Sequence, residues 1–87
     1  MITRNVTITN NKGLFARAAP CFIQKATSFQ STLWIENDDR RINAKSLLGV
    51  LSLNITQGMT VTLIADGKDE VEALDKLTEL INSSFTE

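Results

Sequence analysis

Arg41-Ile42-Asn43-Ala44-Lys45-Ser46-Leu47-Leu48-Gly49-Val50-Leu51-Ser52-Leu53 changes its hydrophobic period partway along. Arg41, Ile42 and Asn43 read as a short return strand. From Ser46 a compact apolar segment runs through Leu53, and Leu47, Val50 and Leu51 fall at i, i+3 and i+4, the spacing of one helix face. Asn54, Gln57 and Gly58 end it. Upstream, Asn37-Asp38-Asp39-Arg40 is a turn, and Leu33 and Ile35 alternate with Thr32 and Trp34, which makes the strand and its return a hairpin. Farther upstream, from about residue 16, Ala19, Phe22, Ile23, Ala26 and Phe29 form an apolar helical stripe that Thr27, Ser28 and Gln30 close. Asn10-Asn11-Lys12-Gly13 is a loop. At the start of the chain, Ile2, Arg4, Val6 and Ile8 alternate with Thr3, Asn5 and Thr7, a half-buried strand. Downstream, residues 60–65 alternate and are β-branched, Asp66-Gly67 turns, and residues 69–82 form a helix. Its expected buried face is Val71, Leu74, Leu77, Leu80 and Ile81, with Asp69, Glu70 and Glu72 in the first turn at the positive end of the helix dipole. The order is β-α-β-β-α-β-α. The strands need a cover for their apolar face and the amphipathic helices supply it, so a two-layer α+β domain is expected, its strand order left open.

Composition sets the remaining bounds. The chain has 87 residues, enough for one domain over residues 1–87. A formal net charge of −1 gives no basic excess for direct nucleic-acid binding. Apolar runs are only a few residues long, which excludes a membrane span, and the N-terminal segment lacks the apolar core of a signal peptide. The lone Cys21 makes no internal disulfide, so a reducing, cytoplasmic setting is expected. With no histidine and one cysteine, zinc sites of the usual kinds and Ser-His-Asp or Cys-His nucleophiles are excluded. A Gly-rich phosphate loop is also missing. The expectation is a non-enzymatic binding, carrier or regulatory module with no metal and no cofactor.

Two stretches resemble the HPr phosphocarrier family. Lys12-Gly13-Leu14-Phe15-Ala16-Arg17-Ala18-Ala19 is similar to its active-site motif G-L-H-A-R-P-A, and residues 42–53 are similar to its regulatory-serine motif. The two sit at the family's usual separation, and Gln57-Gly58 and Asp66-Gly67 match as well. The resemblance covers essentially the whole chain. It implies an open-faced β-sandwich, a four-stranded antiparallel sheet covered on one face by three helices. The first motif departs in two places: Phe15 stands where the family has its phosphorylated histidine, and Ala18 where it usually has proline, with Pro20 two positions later. Phenylalanine has no nucleophilic atom, so phosphate cannot be carried there. The Crh type, an HPr relative that lacks the histidine and keeps the regulatory serine, shows the same logic, although it usually has glutamine at that position.

Each singled-out residue has a plain reading beside the functional one. Phe15 is a lost active site and a surface aromatic, or an anchor for a partner. Arg17 is a solvated charge or an anion binder; its place in the motif favours binding. Pro20 is structural, tolerated in a first helical turn, and the expectation is a helix start shifted toward Ala18 or a distorted first turn. Cys21 is a half-buried apolar residue, and Trp34 belongs on the outer sheet face. Ser46 is a helix N-cap, and the surrounding motif adds a regulatory phosphorylation site. Val50 and Leu53 serve the core, whereas Leu47, Leu48 and Leu51 form a partly exposed patch or are all core. The resemblance implies an HPr kinase/phosphorylase acting on Ser46, a transcriptional regulator of the catabolite control protein class as partner, and a homodimer made by swapping the first strand. The alternative, of a different class, is a phosphotransferase-system phosphocarrier homologue or active-site variant.

Overall fold

Alternation along the strands decides which side chains meet the helices. The structure, a computed structural model, describes residues 1–8 and 18–83. Its elements are β1 (Ile2–Thr7), α1 (Ala18–Thr27), β2 (Thr32–Asn37), β3 (Arg40–Asn43), α2 (Leu47–Ser52), β4 (Thr60–Asp66) and α3 (Glu70–Asn82). The strands form one antiparallel sheet in the order β1-β4-β2-β3. The register aligns Arg4, Leu63, Ile35 and Ile42 across the sheet, with Ile2, Ala65 and Leu33 in the parallel row and Val6 opposite Val61. These rows carry the core face, where Val6, Leu33, Ile35, Val61, Leu63 and Ala65 pack with Phe22 of α1, Val50 of α2 and Leu74, Leu77 and Ile81 of α3. This is the open-faced sandwich with three helices on one side. Thr3, Ile64, Trp34 and Asn43 align on the other face. Trp34 is half-buried there, as its place opposite Leu33 and Ile35 requires.

Several boundaries and faces differ from the sequence reading. Arg40 belongs to β3, paired with Asn37, so the turn is Asp38-Asp39, and Asp38 takes φ 56°. Aspartate tolerates that region better than most residues. α1 is described from Ala18 and carries Pro20 exposed on its surface; the residues that would test the expected helix start lie outside the described ones. Phe29 lies beyond α1, half-buried against the core. Val71 is not part of the buried face of α3: it is 57% exposed, and Ala73 is buried with Leu74, Leu77, Leu80 and Ile81. At about 100° per residue, Val71 falls well outside the arc these five define, although it is a turn away from Leu74.

Asp69 also departs from its expected place in the first turn. It stands before α3 and makes no side-chain cap. Its carboxylate instead accepts from Gln30 N at 2.8 Å, from Ser31 N at 2.9 Å and from Ser31 Oγ. These bonds, the Ser31 hydroxyl first, hold the carboxyl below the usual carboxylate range. Gly67 completes the junction: a Cβ there would stand 2.7 Å from Ser31 Cα, too close for any other residue. Farther along α3, Arg4 Nη1 donates to Asp75 Oδ1 at 2.6 Å and ties β1 to the helix.

Candidate functional site around Ser46

The site begins where β3 stops. Ala44 N donates to Leu33 O at 2.9 Å, the last contact that holds the segment along β2. Asn43 then folds the chain back: its carbonyl accepts from Ser46 N at 3.0 Å and its Oδ1 from Lys45 N at 2.8 Å. Asparagine does this because its short amide mimics a backbone turn. Ser46 remains extended at φ −104°, ψ 114°, and its Oγ accepts from Gly49 N at 3.2 Å. It is therefore the N-cap that the sequence predicts. Its carbonyl accepts from Val50 N at 2.9 Å, the first helical bond of α2.

α2 divides its leucines by face. Val50 and Leu53 are buried, as expected. Leu48 is 82% exposed and Leu47 41% exposed. Leu51 is half-buried and packs against the core. The exposed patch is thus Leu47 and Leu48, adjoining Ser46, with Leu51 turned partly inward. Pro20 is exposed on α1, which packs against α2. Beside it Cys21 is half-buried and, with Gln24, Lys25 and Ser28, lines a surface depression of about 320 Å³. Phe15 and Arg17 lie outside the described residues.

Two contacts of this region escape a reading of the sequence. Lys45 Nζ donates to Phe29 O at 2.8 Å, which ties the start of α2 to the chain leaving α1. Arg40 reaches the other end of α2, where Nη1 donates to Ser52 O at 2.8 Å and Nη2 to Ser52 Oγ at 2.9 Å. A cation is favoured at that negative end of the helix. No local pattern announces either bond, because each joins residues from different elements.

Among the described residues no group of three or more His, Cys, Asp or Glu side chains is placed to hold a metal ion. Among them, too, no helix is long and apolar enough to cross a membrane. The arrangement offers a serine hydroxyl at a helix start, open apolar side chains next to it, and a backbone held at both ends.

Comparison with known proteins gives this arrangement its relatives. A family model described as the PTS HPr component phosphorylation site matches residues 2–83. "Phosphocarrier protein HPr" of Neisseria meningitidis is 41% identical over 87 residues, covering 100% of this chain and 98% of that protein. "HPr-like protein Crh" of Bacillus subtilis is 43% identical over 81 residues, covering 93% of this chain and 95% of that protein. A crystal structure of that Crh, solved as a domain-swapped dimer, superposes with a TM-score of 0.77 at 40% identity, covering 100% of each chain. The crystal structure of HPr-C-His from Thermoanaerobacter tengcongensis superposes with a TM-score of 0.96 at 45% identity, covering 100% of this chain and 98% of that one.

Proposed function

Because the chain belongs to the HPr family and has no histidine, we propose that it is a non-enzymatic regulatory protein, phosphorylated on Ser46 and acting through protein contacts in carbon catabolite regulation. The observation that carries this reading is the start of α2, where Ser46 adjoins two exposed leucines, Leu47 and Leu48. A phosphoserine there adds about −1.5 to −2 charges and three acceptor oxygens. A charge next to open apolar side chains is a composite mark that a partner reads with an arginine or lysine pocket beside an apolar one. The family motif assigns Phe15 and Arg17 to the same surface, Pro20 follows directly after that motif, and Leu51 forms the inner border.

The partners are an HPr kinase/phosphorylase and a transcriptional regulator of the catabolite control protein class, in the cytoplasm, with residues 1–87 acting as one domain. A homodimer by exchange of β1 fits the topology. β1 is an edge strand paired with β4 alone, so a second copy's β1 re-forms the same ladder. The test is incubation of the chain with an HPr-type serine kinase and ATP, followed by binding to the regulator, with Ser46→Ala as control. One added phosphate and tighter binding are expected. An unmodified chain, or equal affinity with and without phosphate, defeats the reading.

The relatives named as phosphocarriers favour a second reading, a carrier in the sugar phosphotransferase system. Phe15 in the histidine position weighs against it. Incubation with phosphoenolpyruvate and the general phosphotransferase enzyme should leave the mass unchanged. An acid-labile phosphoryl adduct would restore the carrier.

A further inference from the structure

α2 has six residues, well short of the roughly 12–15 at which an isolated helix becomes marginally stable in water. Its geometry therefore depends on what holds its ends. The hydrogen bonds from Arg40 lead along the helix to Ser46. Arg40 Nη2 donates to Ser52 Oγ at 2.9 Å, and that hydroxyl donates to Gly49 O at 2.6 Å. The N–H of the same Gly49 donates to Ser46 Oγ at 3.2 Å. Arg40 Nη1 fixes the Ser52 carbonyl as well, at 2.8 Å. The fork thus grips one residue through two acceptors. The backbone at Gly49 runs close to β3, where an added Cβ would stand 3.2 Å from Ile42 Cδ1.

We propose that Arg40 is a positioning residue for Ser46: through Ser52 and Gly49 it fixes the pose in which α2 presents the Ser46 hydroxyl with Leu47 and Leu48 to a protein kinase. This role rests on the regulatory reading above. Arg40 acts through α2 and makes no contact with the kinase. Lysine cannot take its place fully, because one ammonium does not offer two parallel N–H donors from a planar fork.

The test is steady-state phosphorylation of the whole chain by an HPr-type serine kinase with ATP, comparing the unaltered protein with Arg40→Ala, Arg40→Lys, Ser52→Ala and the Arg40→Ala/Ser52→Ala pair. Loss of a presented pose weakens docking, so Arg40→Ala should raise KM for the protein about threefold or more while kcat stays within about twofold. Arg40→Lys should recover part of the loss. Ser52→Ala should raise KM less than Arg40→Ala does, since the carbonyl contact survives. The pair should be no worse than Arg40→Ala alone, because both changes cut one path. An unchanged KM in Arg40→Ala overturns the proposal, and so does full additivity in the pair, which would mean that Arg40 touches the kinase itself. If the unaltered chain is not modified on Ser46, the regulatory reading fails and the positioning role falls with it. If it is modified and Arg40→Ala behaves like it, only the positioning role fails.

Discussion

At the start of α2 the Ser46 side chain turns back onto its own helix and accepts one bond from Gly49 N, at 3.2 Å. At the start of α3 the Asp69 carboxylate turns away from its helix and accepts from Gln30 N, Ser31 N and Ser31 Oγ. Both residues precede a helix, and both are types that favour such places. The difference lies in how much else depends on them. Asp69 joins the end of the α1–β2 connection to the start of α3 and satisfies Ser31, which is buried. Ser46 satisfies one N–H on a short surface helix. A residue with few structural obligations is free to be modified, and one that holds two elements together is not.

The largest expected effect follows at the Asp69 junction. Asp69→Ala should lower the urea midpoint clearly more than Ser46→Ala, because it leaves the buried Ser31 N–H and hydroxyl without their acceptor. A smaller loss than in Ser46→Ala would break the comparison. The junction should also respond to pH. The folded-state pKa of Asp69 lies below its unfolded value, so its contribution is fully present above the ordinary aspartate pKa of about 3.9 and is lost as pH falls through the lowered folded value. The stability difference between the unaltered chain and Asp69→Asn should therefore be largest near neutrality and shrink on acidification. A difference that stays constant from about pH 6 to about pH 2 would show that the hydrogen bonds, and not the charge, hold the junction.

A middle-sized effect belongs to Ser46. Removing an N-cap costs about 0.5–2 kcal/mol, and the low end applies to a six-residue surface helix with one long cap bond. Denaturant unfolding of Ser46→Ala measures it. A loss well above that range would give Ser46 a structural duty equal to that of Asp69 and would weaken the case for its modification.

The two helix starts also show how far the sequence can be read. The alternation of Ile2, Val6 and Ile8 and of Leu33 and Ile35, and the helical spacing of Leu74, Leu77 and Ile81, are local patterns, so the elements and most of the core follow from them. Ser46 as a cap follows for the same reason, since its bond partner is three residues away. Val71 misleads because an apolar residue one turn from Leu74 suits a wide stripe, and only the packed sheet defines the arc that is covered. Asp69 reads as a first-turn charge because its true partners lie 38 and 39 residues earlier in the chain. Arg40 and Lys45 escape for the same cause. The strand order β1-β4-β2-β3 is likewise a long-range property. Phe15, the residue that most sharply separates carrier from regulator, and Arg17 beside it rest on motif alone.

The smallest expected effect on stability, and a large one on binding, falls on Leu48. Its side chain is 82% exposed, so most of its area is already in water in the folded state. Truncation to alanine then removes little burial, and surface changes of this kind stay within about 0.5 kcal/mol. Leu51 is the internal control, because it packs against the core and its truncation must cost more. If the patch is a docking surface, Leu48→Ala should leave the urea midpoint almost unmoved and still weaken binding of the phosphorylated chain to the regulator by about fivefold or more, the roughly 1 kcal/mol that only a minority of interface residues cost on truncation. Measuring both quantities on the same preparation separates the two roles. Unchanged affinity with unchanged stability would leave Leu48 as an ordinary exposed leucine, and Ser46 would then be read by its charge alone.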